Sequence, residues 1–154
     1  MMRIRGLLTA GLVAALWCGG ALARDLVSAA DPEAVLTAAK GFGSAELQTD
    51  SVGDPRIRGR MFGVIYLVTF YGCDDGKDCK DILFYAGWEQ PGLTLEDVNR
   101  WNRDKRFGKA YIDDEGDAVL EFAVNLNYGV TPRNLEDTFD WWGVVLREFR
   151  EEML

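Results

Sequence analysis

The chain has 154 residues with 17 Lys+Arg against 25 Asp+Glu, a net charge of −8, and no histidine. The acidic balance speaks against nucleic acid or an anionic membrane as partner, because both select basic surfaces. The missing histidine removes Ser-His-Asp and Cys-His catalysis and most common zinc, copper and haem sites, leaving carboxylates, Lys or Tyr for any acid–base work.

The N-terminus reads as a signal peptide over residues 1–23. Arg3 and Arg5 precede an uncharged apolar run, Gly6 to Trp17, which leads to Ala21-Leu22-Ala23, an A-x-A cleavage signal. Cleavage is expected between Ala23 and Arg24. The run is shorter than the roughly 20 residues a spanning helix needs. A lipoprotein route through Cys18 is disfavoured by Trp17, which stands where lipoprotein processing requires a small residue. The expected location is the periplasm or the outside of the cell, with no membrane attachment after cleavage. The mature chain keeps 15 basic and 25 acidic residues, so its net charge is −10. It is long enough for one core and one domain.

Residues 24–30 read as a flexible lead-in, and 31–154 as a single domain. Asp31 and Pro32 signal a helix start, as N-cap and first helical residue. Val35, Leu36, Ala39 and Phe42 share one face of that helix, and Gly41 and Gly43 end it. Ala45 to Thr49 is a first strand, and Gly53-Asp54-Pro55 a turn. From Arg56 to Tyr71 the chain reads as one long extended segment. Phe62, Val64, Tyr66, Val68 and Phe70 lie on one face, and Ile65, Leu67, Thr69 and Tyr71 on the other. A polar loop with Cys73 and Cys79 follows, then a strand from Lys80 to Trp88, which makes a hairpin. In an oxidising compartment the two cysteines are expected to pair across the hairpin mouth, with free thiols or redox chemistry as the alternatives.

Thr94 and Asp97 form a capping box for a second helix, with Leu95, Val98 and Trp101 as its buried stripe. Phe107 to Ile112 and Ala118 to Leu126 are strands around an acidic turn, Asp113 to Asp117. Thr131-Pro132 starts a last helix, whose stripe is Leu135, Phe139, Trp142, Val145, Leu146 and Phe149. The order α-β-β-β-α-β-β-α predicts an α+β fold, an antiparallel β-sheet with flanking helices.

Gly63–Cys73 (GVIYLVTFYGC), Cys79, Val98–Asn102 (VNRWN), Arg106–Tyr111 (RFGKAY), the acidic turn, Gly129-Val130 and the closing helix together resemble the YbjN domain family. That resemblance implies a fold similar to type III secretion chaperones, a role in regulation or protein binding, and no catalytic residues. Export separates this chain from the cytoplasm, where a secretion chaperone works.

The expected partner is therefore a protein, a peptide or a second copy in a dimer. The residues singled out for such a surface are Trp141, the alternating Arg56, Arg58 and Arg60, and Asn99 with Asn102. Each has a plainer reading, as helix margin, solvated strand face, or local hydrogen-bonding group. No cofactor and no metal are expected. The acidic turn and Asp74, Asp75 and Asp78 read as solvated turns rather than cation sites. A small-ligand sensor is the alternative function, and a carboxylate-based enzyme the third.

Overall fold

The computed structural model describes residues 26–154. The segment read as a signal peptide and the Ala23–Arg24 cleavage site lie outside them. Helix α1 is Pro32–Lys40, followed by strands β1 (Ser44–Thr49), β2 (Pro55–Met61), β3 (Val64–Tyr71) and β4 (Asp81–Trp88). Helix α2 is Leu95–Asp104, β5 is Lys109–Ile112, β6 is Ala118–Asn125, and α3 is Pro132–Met153. The six strands form one antiparallel sheet in the order β1-β2-β3-β4-β6-β5. The α+β class and the order of elements agree with the sequence reading, with one strand added.

The addition comes from the Arg56–Tyr71 segment, which folds back on itself. Met61 pairs with Val64, so Phe62-Gly63 is a two-residue hairpin turn, and both residues have positive φ (52° and 83°). That is the backbone a tight hairpin with right-handed twist demands, and it normally calls for Asn-Gly or Asp-Gly. A Phe in that position is costly alone. Here α3 holds it. Arg150 Nη1 donates to the Phe62 carbonyl at 2.7 Å, and the Arg147 guanidinium lies 5.5 Å from the Phe62 ring. Gly143 lets the turn approach, since a Cβ there would sit 2.9 Å from Met61 Sδ. Phe62 is therefore an exposed turn residue, not part of the apolar row of β3.

All three helices start at the signals in the sequence. The Asp31 carboxylate accepts the Ala34 N–H, Thr131 Oγ1 accepts the Asn134 N–H, and Thr94 and Asp97 close their box in both directions. The helices cover one face of the sheet. Trp142 meets Tyr66 edge-on (6.1 Å between centroids) and Phe84 (5.3 Å). Phe139 meets Phe84 at 4.9 Å, and Phe149 lies between Trp88 and Trp101. No polar or charged residue is buried among the described residues.

Two expectations need correction. Leu95, the first residue of α2, is 75 % exposed and not part of its stripe; only Val98 and Trp101 of that set are buried. The lead-in 24–30, as far as it is described, is not loose. Val27 exchanges two 2.8 Å backbone hydrogen bonds with Val130, and Ala29 is fully buried.

Cys73 and Cys79 stand in position to form a disulfide. They stand two residues beyond the last β3–β4 pair, Tyr71 and Asp81, where the same register makes them face each other. The enclosed loop makes its own tight turn, with Asp74 and Lys77 exchanging backbone hydrogen bonds (2.7 and 3.0 Å).

Candidate functional site

The residues singled out in the sequence do not form one surface. Trp141 is on the helix side of the molecule. It is 37 % exposed, but its ring packs on Phe107 at 4.9 Å, and the Arg106 guanidinium lies over both rings. Asn102 is committed to structure. Its side chain accepts the Ala110 N–H (2.8 Å) and donates to the Ala110 carbonyl (2.9 Å), which fixes β5 to α2. Asn102 is thus no part of an interaction surface, because both ends of its amide are taken. Asn99 is exposed on the same helix. Trp101 Nε1 donates to the Gly108 carbonyl, a second tie between α2 and the start of β5.

Arg56, Arg58 and Arg60 lie on the sheet face opposite the helices. Ile57 and Gly59 between them, and Met61 after them, are buried, so the alternation of β2 sends the arginines outward. Arg56 donates to Gln48 at 3.3 Å, and Arg60 to the Gly63 carbonyl at 2.9 Å. Arg58 is exposed and has no ion pair or side-chain hydrogen bond among the described residues. No carboxylate bridges this row among the described residues.

That outer face is the site the sequence did not reveal. No helix covers it among the described residues. Its centre is apolar: Ile65 is 40 % and Tyr71 49 % exposed, and Leu67, Leu83 and Tyr85 are half-buried. A shallow groove of about 390 Å³ runs along it between Arg58, Ile65, Leu67, Tyr85 and Asp117. Beyond Tyr85 the face turns acidic. Burial raises the Tyr85 hydroxyl pKa first, and the charges of Asp113, Asp117, Glu121 and Glu115 raise it further. Glu121 bridges Lys109 (2.6 Å) and accepts from the Tyr111 hydroxyl (2.9 Å). Tyr111 is pushed up to about 12, by burial and then by that hydrogen bond. The face is thus basic along β2, apolar across β3 and β4, and acidic at β6 and the β5–β6 turn. The signal was present in Ile65, Leu67, Thr69 and Tyr71, but half-apolar rows also occur on covered faces.

The acidic turn holds itself. Asp113 Oδ1 accepts the N–H groups of Glu115 and Asp117, and Asp117 Oδ1 accepts that of Gln90. Among the described residues no cluster of three potential metal ligands is present, and no helix is long and apolar enough to cross a membrane. On the helix side, an open groove of about 510 Å³ lies between α1 and α3. It is lined mainly by apolar groups, among them Val27, Ala38, Phe42 and Leu135.

No curated protein matches the chain. The family model YbjN, described as "Putative bacterial sensory transduction regulator", matches residues 31–154. The chain belongs to the YbjN family.

Proposed function

We propose, from membership of the YbjN family, that this chain is a non-enzymatic, regulatory protein-interaction module that works in the periplasm, with the uncovered sheet face as its docking surface. One observation carries the reading: a half-apolar face with a charged margin on each side, left bare by a fold that has already packed its helices. Interfaces combine an apolar centre with a polar rim in this way. The family's regulatory description agrees with a module that acts by contact. Absence of catalysis is supported by the lack of histidine and by the occupation of Asp113 and Asp117 in backbone hydrogen bonds. The location is supported by the A-x-A signal after an apolar run, and by a cysteine pair in bonding position.

The test is a photo-crosslinker placed at Leu67 in intact cells, with Asp137 on α3 as control. A discrete protein adduct from position 67 and none from 137 is the expected result. No protein adduct from position 67 would sink the reading. Fractionation checks the location: the protein should appear in the periplasmic fraction with Arg24 as its first residue. A second reading, a binder of small apolar ligands, is favoured by the groove between α1 and α3. It predicts that filling the groove with Ala38→Trp abolishes a ligand adduct seen in native mass spectra.

A further inference from the structure

Three arginines converge on the turn between β2 and β3. Arg60 Nη1 donates to the Gly63 carbonyl at 2.9 Å, and Arg150 Nη1, from α3, donates to the Phe62 carbonyl at 2.7 Å. Arg147, about one turn earlier on α3, holds its guanidinium 5.5 Å from the centroid of the Phe62 ring. All three are exposed, and none forms an ion pair among the described residues. The chain has 25 acidic residues against 17 basic ones, so carboxylate partners were not scarce.

The same turn carries two local costs. Phe62 holds φ at 52°, in the left-handed region that a bulky side chain adopts only with strain. Asn suits that position better. Gly143 stands in the interior of α3, where alanine favours the helix. The glycine is required because a Cβ there would lie 2.9 Å from Met61 Sδ and 3.2 Å from Phe62 Cε2. In return the fold receives a ring that is still 52 % exposed. Ile65, paired with Arg60 across β2 and β3, adds a second exposed apolar side chain. Local rules broken together at one surface point are what a functional position shows.

We propose that this turn is a docking site for a short acidic segment of a partner protein, with its carboxylates on Arg60, Arg147 and Arg150 and an apolar side chain against Phe62 and Ile65. A guanidinium matches a carboxylate through two parallel hydrogen bonds, and arginine clusters recur as readers of acidic motifs. Arg60 and Arg150 each spend one N–H on a turn carbonyl, which fixes the group and leaves its other donors for a ligand. The charge of the whole molecule limits the size of that ligand. Screening leaves the local cluster in control over about 8–10 Å. A segment with two or three carboxylates fits within that range, whereas a polyanion or an anionic membrane would also meet the acidic remainder of the surface. The site shares only Ile65 with the groove beside Leu67, so it goes beyond the outer face, and either can fail without the other.

The experiment titrates a fluorescein-labelled, end-capped hexapeptide of alternating glutamate and leucine into the purified protein and reads anisotropy. Wild type should bind it, less tightly as salt rises. The same peptide with lysine in place of glutamate should not bind. Arg147→Gln should weaken binding about 10-fold, and Arg133→Gln, in the first turn of α3, should leave it unchanged. Phe62→Asn decides between structure and function, because it installs a residue that the turn prefers. It should melt no lower than wild type and yet bind the peptide about 10-fold more weakly. Three results overturn the proposal: no binding of the glutamate peptide at low salt, a loss from Arg147→Gln no larger than that from Arg133→Gln, or a Phe62→Asn protein that melts lower and binds as well as wild type. Cosedimentation with phosphatidylglycerol vesicles that Arg147→Gln abolishes, without peptide binding, would assign the cluster to a lipid headgroup and overturn the peptide. A protein adduct from position 67 without peptide binding would overturn this site and leave the outer face standing.

Discussion

The two faces of the sheet come from the same strands and the same alternation, yet they are built to different standards. On β3, Tyr66, Val68 and Phe70 point under the helices and are at most 1 % exposed, while Ile65, Leu67, Thr69 and Tyr71 point the other way. The covered face is filled by large aromatic rings in edge and stacked contact. The outer face carries moderate apolar side chains between opposite charges. Three helices suffice to seal one side of six strands. Apolar content on the other side is then surplus to folding, and its charge pattern is what gives it direction.

This contrast can be broken by mutating paired residues of opposite faces. Phe84 is fully buried, and Phe84→Ala should cost about 3–5 kcal/mol in chemical denaturation, through lost transfer energy and the cavity left behind. Leu67→Ala removes a half-buried side chain and should cost only about 1 kcal/mol in the monomer. Equal costs would mean that the outer face is covered in the free protein. A small cost for Leu67 beside a large one for Phe84 would sharpen the distinction.

A smaller loss follows from cutting the tie between α2 and the sheet. Asn102→Ala leaves the buried N–H and carbonyl of Ala110 without their partner and should cost about 2–3 kcal/mol. The same variant should leave the protein adduct from position 67 intact, because Asn102 serves the helix side only. Loss of that adduct by this change would show that the two sides do not act separately.

Much of the covered side was legible in the sequence. The three caps, the α3 stripe and the alternation of β3 and β4 are local patterns whose physics acts within a few residues. The Phe62 turn escaped because its usual turn residue is absent. A Phe at φ 52° is held there by Arg150, Arg147 and Gly143, which lie about eighty residues away in the chain. The outer face escaped for a related reason. Arg56, Arg58 and Arg60 were visible as a row, but Glu46, Leu67, Tyr85, Glu121 and Lys109 join them only through strand register, and β6 inserts between β4 and β5. Trp141 lies at the margin of its stripe, and Phe107 and Arg106 already occupy its ring.

The disulfide offers an intermediate effect that belongs to neither face. Its closed loop is short, so replacing both cysteines by serine should lower stability by about 2 kcal/mol on the chain-entropy account. Gly76 in that loop lies against the Gly53 carbonyl of the β1–β2 turn, so the loop braces one end of the sheet. Thermal melts with and without reductant measure the loss.

The smallest effect concerns acid. Asp97 receives hydrogen bonds from the Thr94 hydroxyl (2.6 Å) and backbone N–H (2.9 Å) and pairs with Arg100 at 2.7 Å. Those contacts hold its carboxyl at about 2, below the ordinary 3.8. The folded value is the depressed one, so the contribution is present in full above pH 3.8 and is lost as pH falls through about 2. Asp97→Asn should flatten that part of the pH–stability curve and leave the curve above pH 5 parallel to wild type. Because the capping box starts α2, acid should loosen the helix layer first, and hydrogen exchange at the α2 amides should rise before exchange in β3 and β4. Simultaneous loss in both would mean that the helix layer and the sheet open as one unit and that the cap has no separate role.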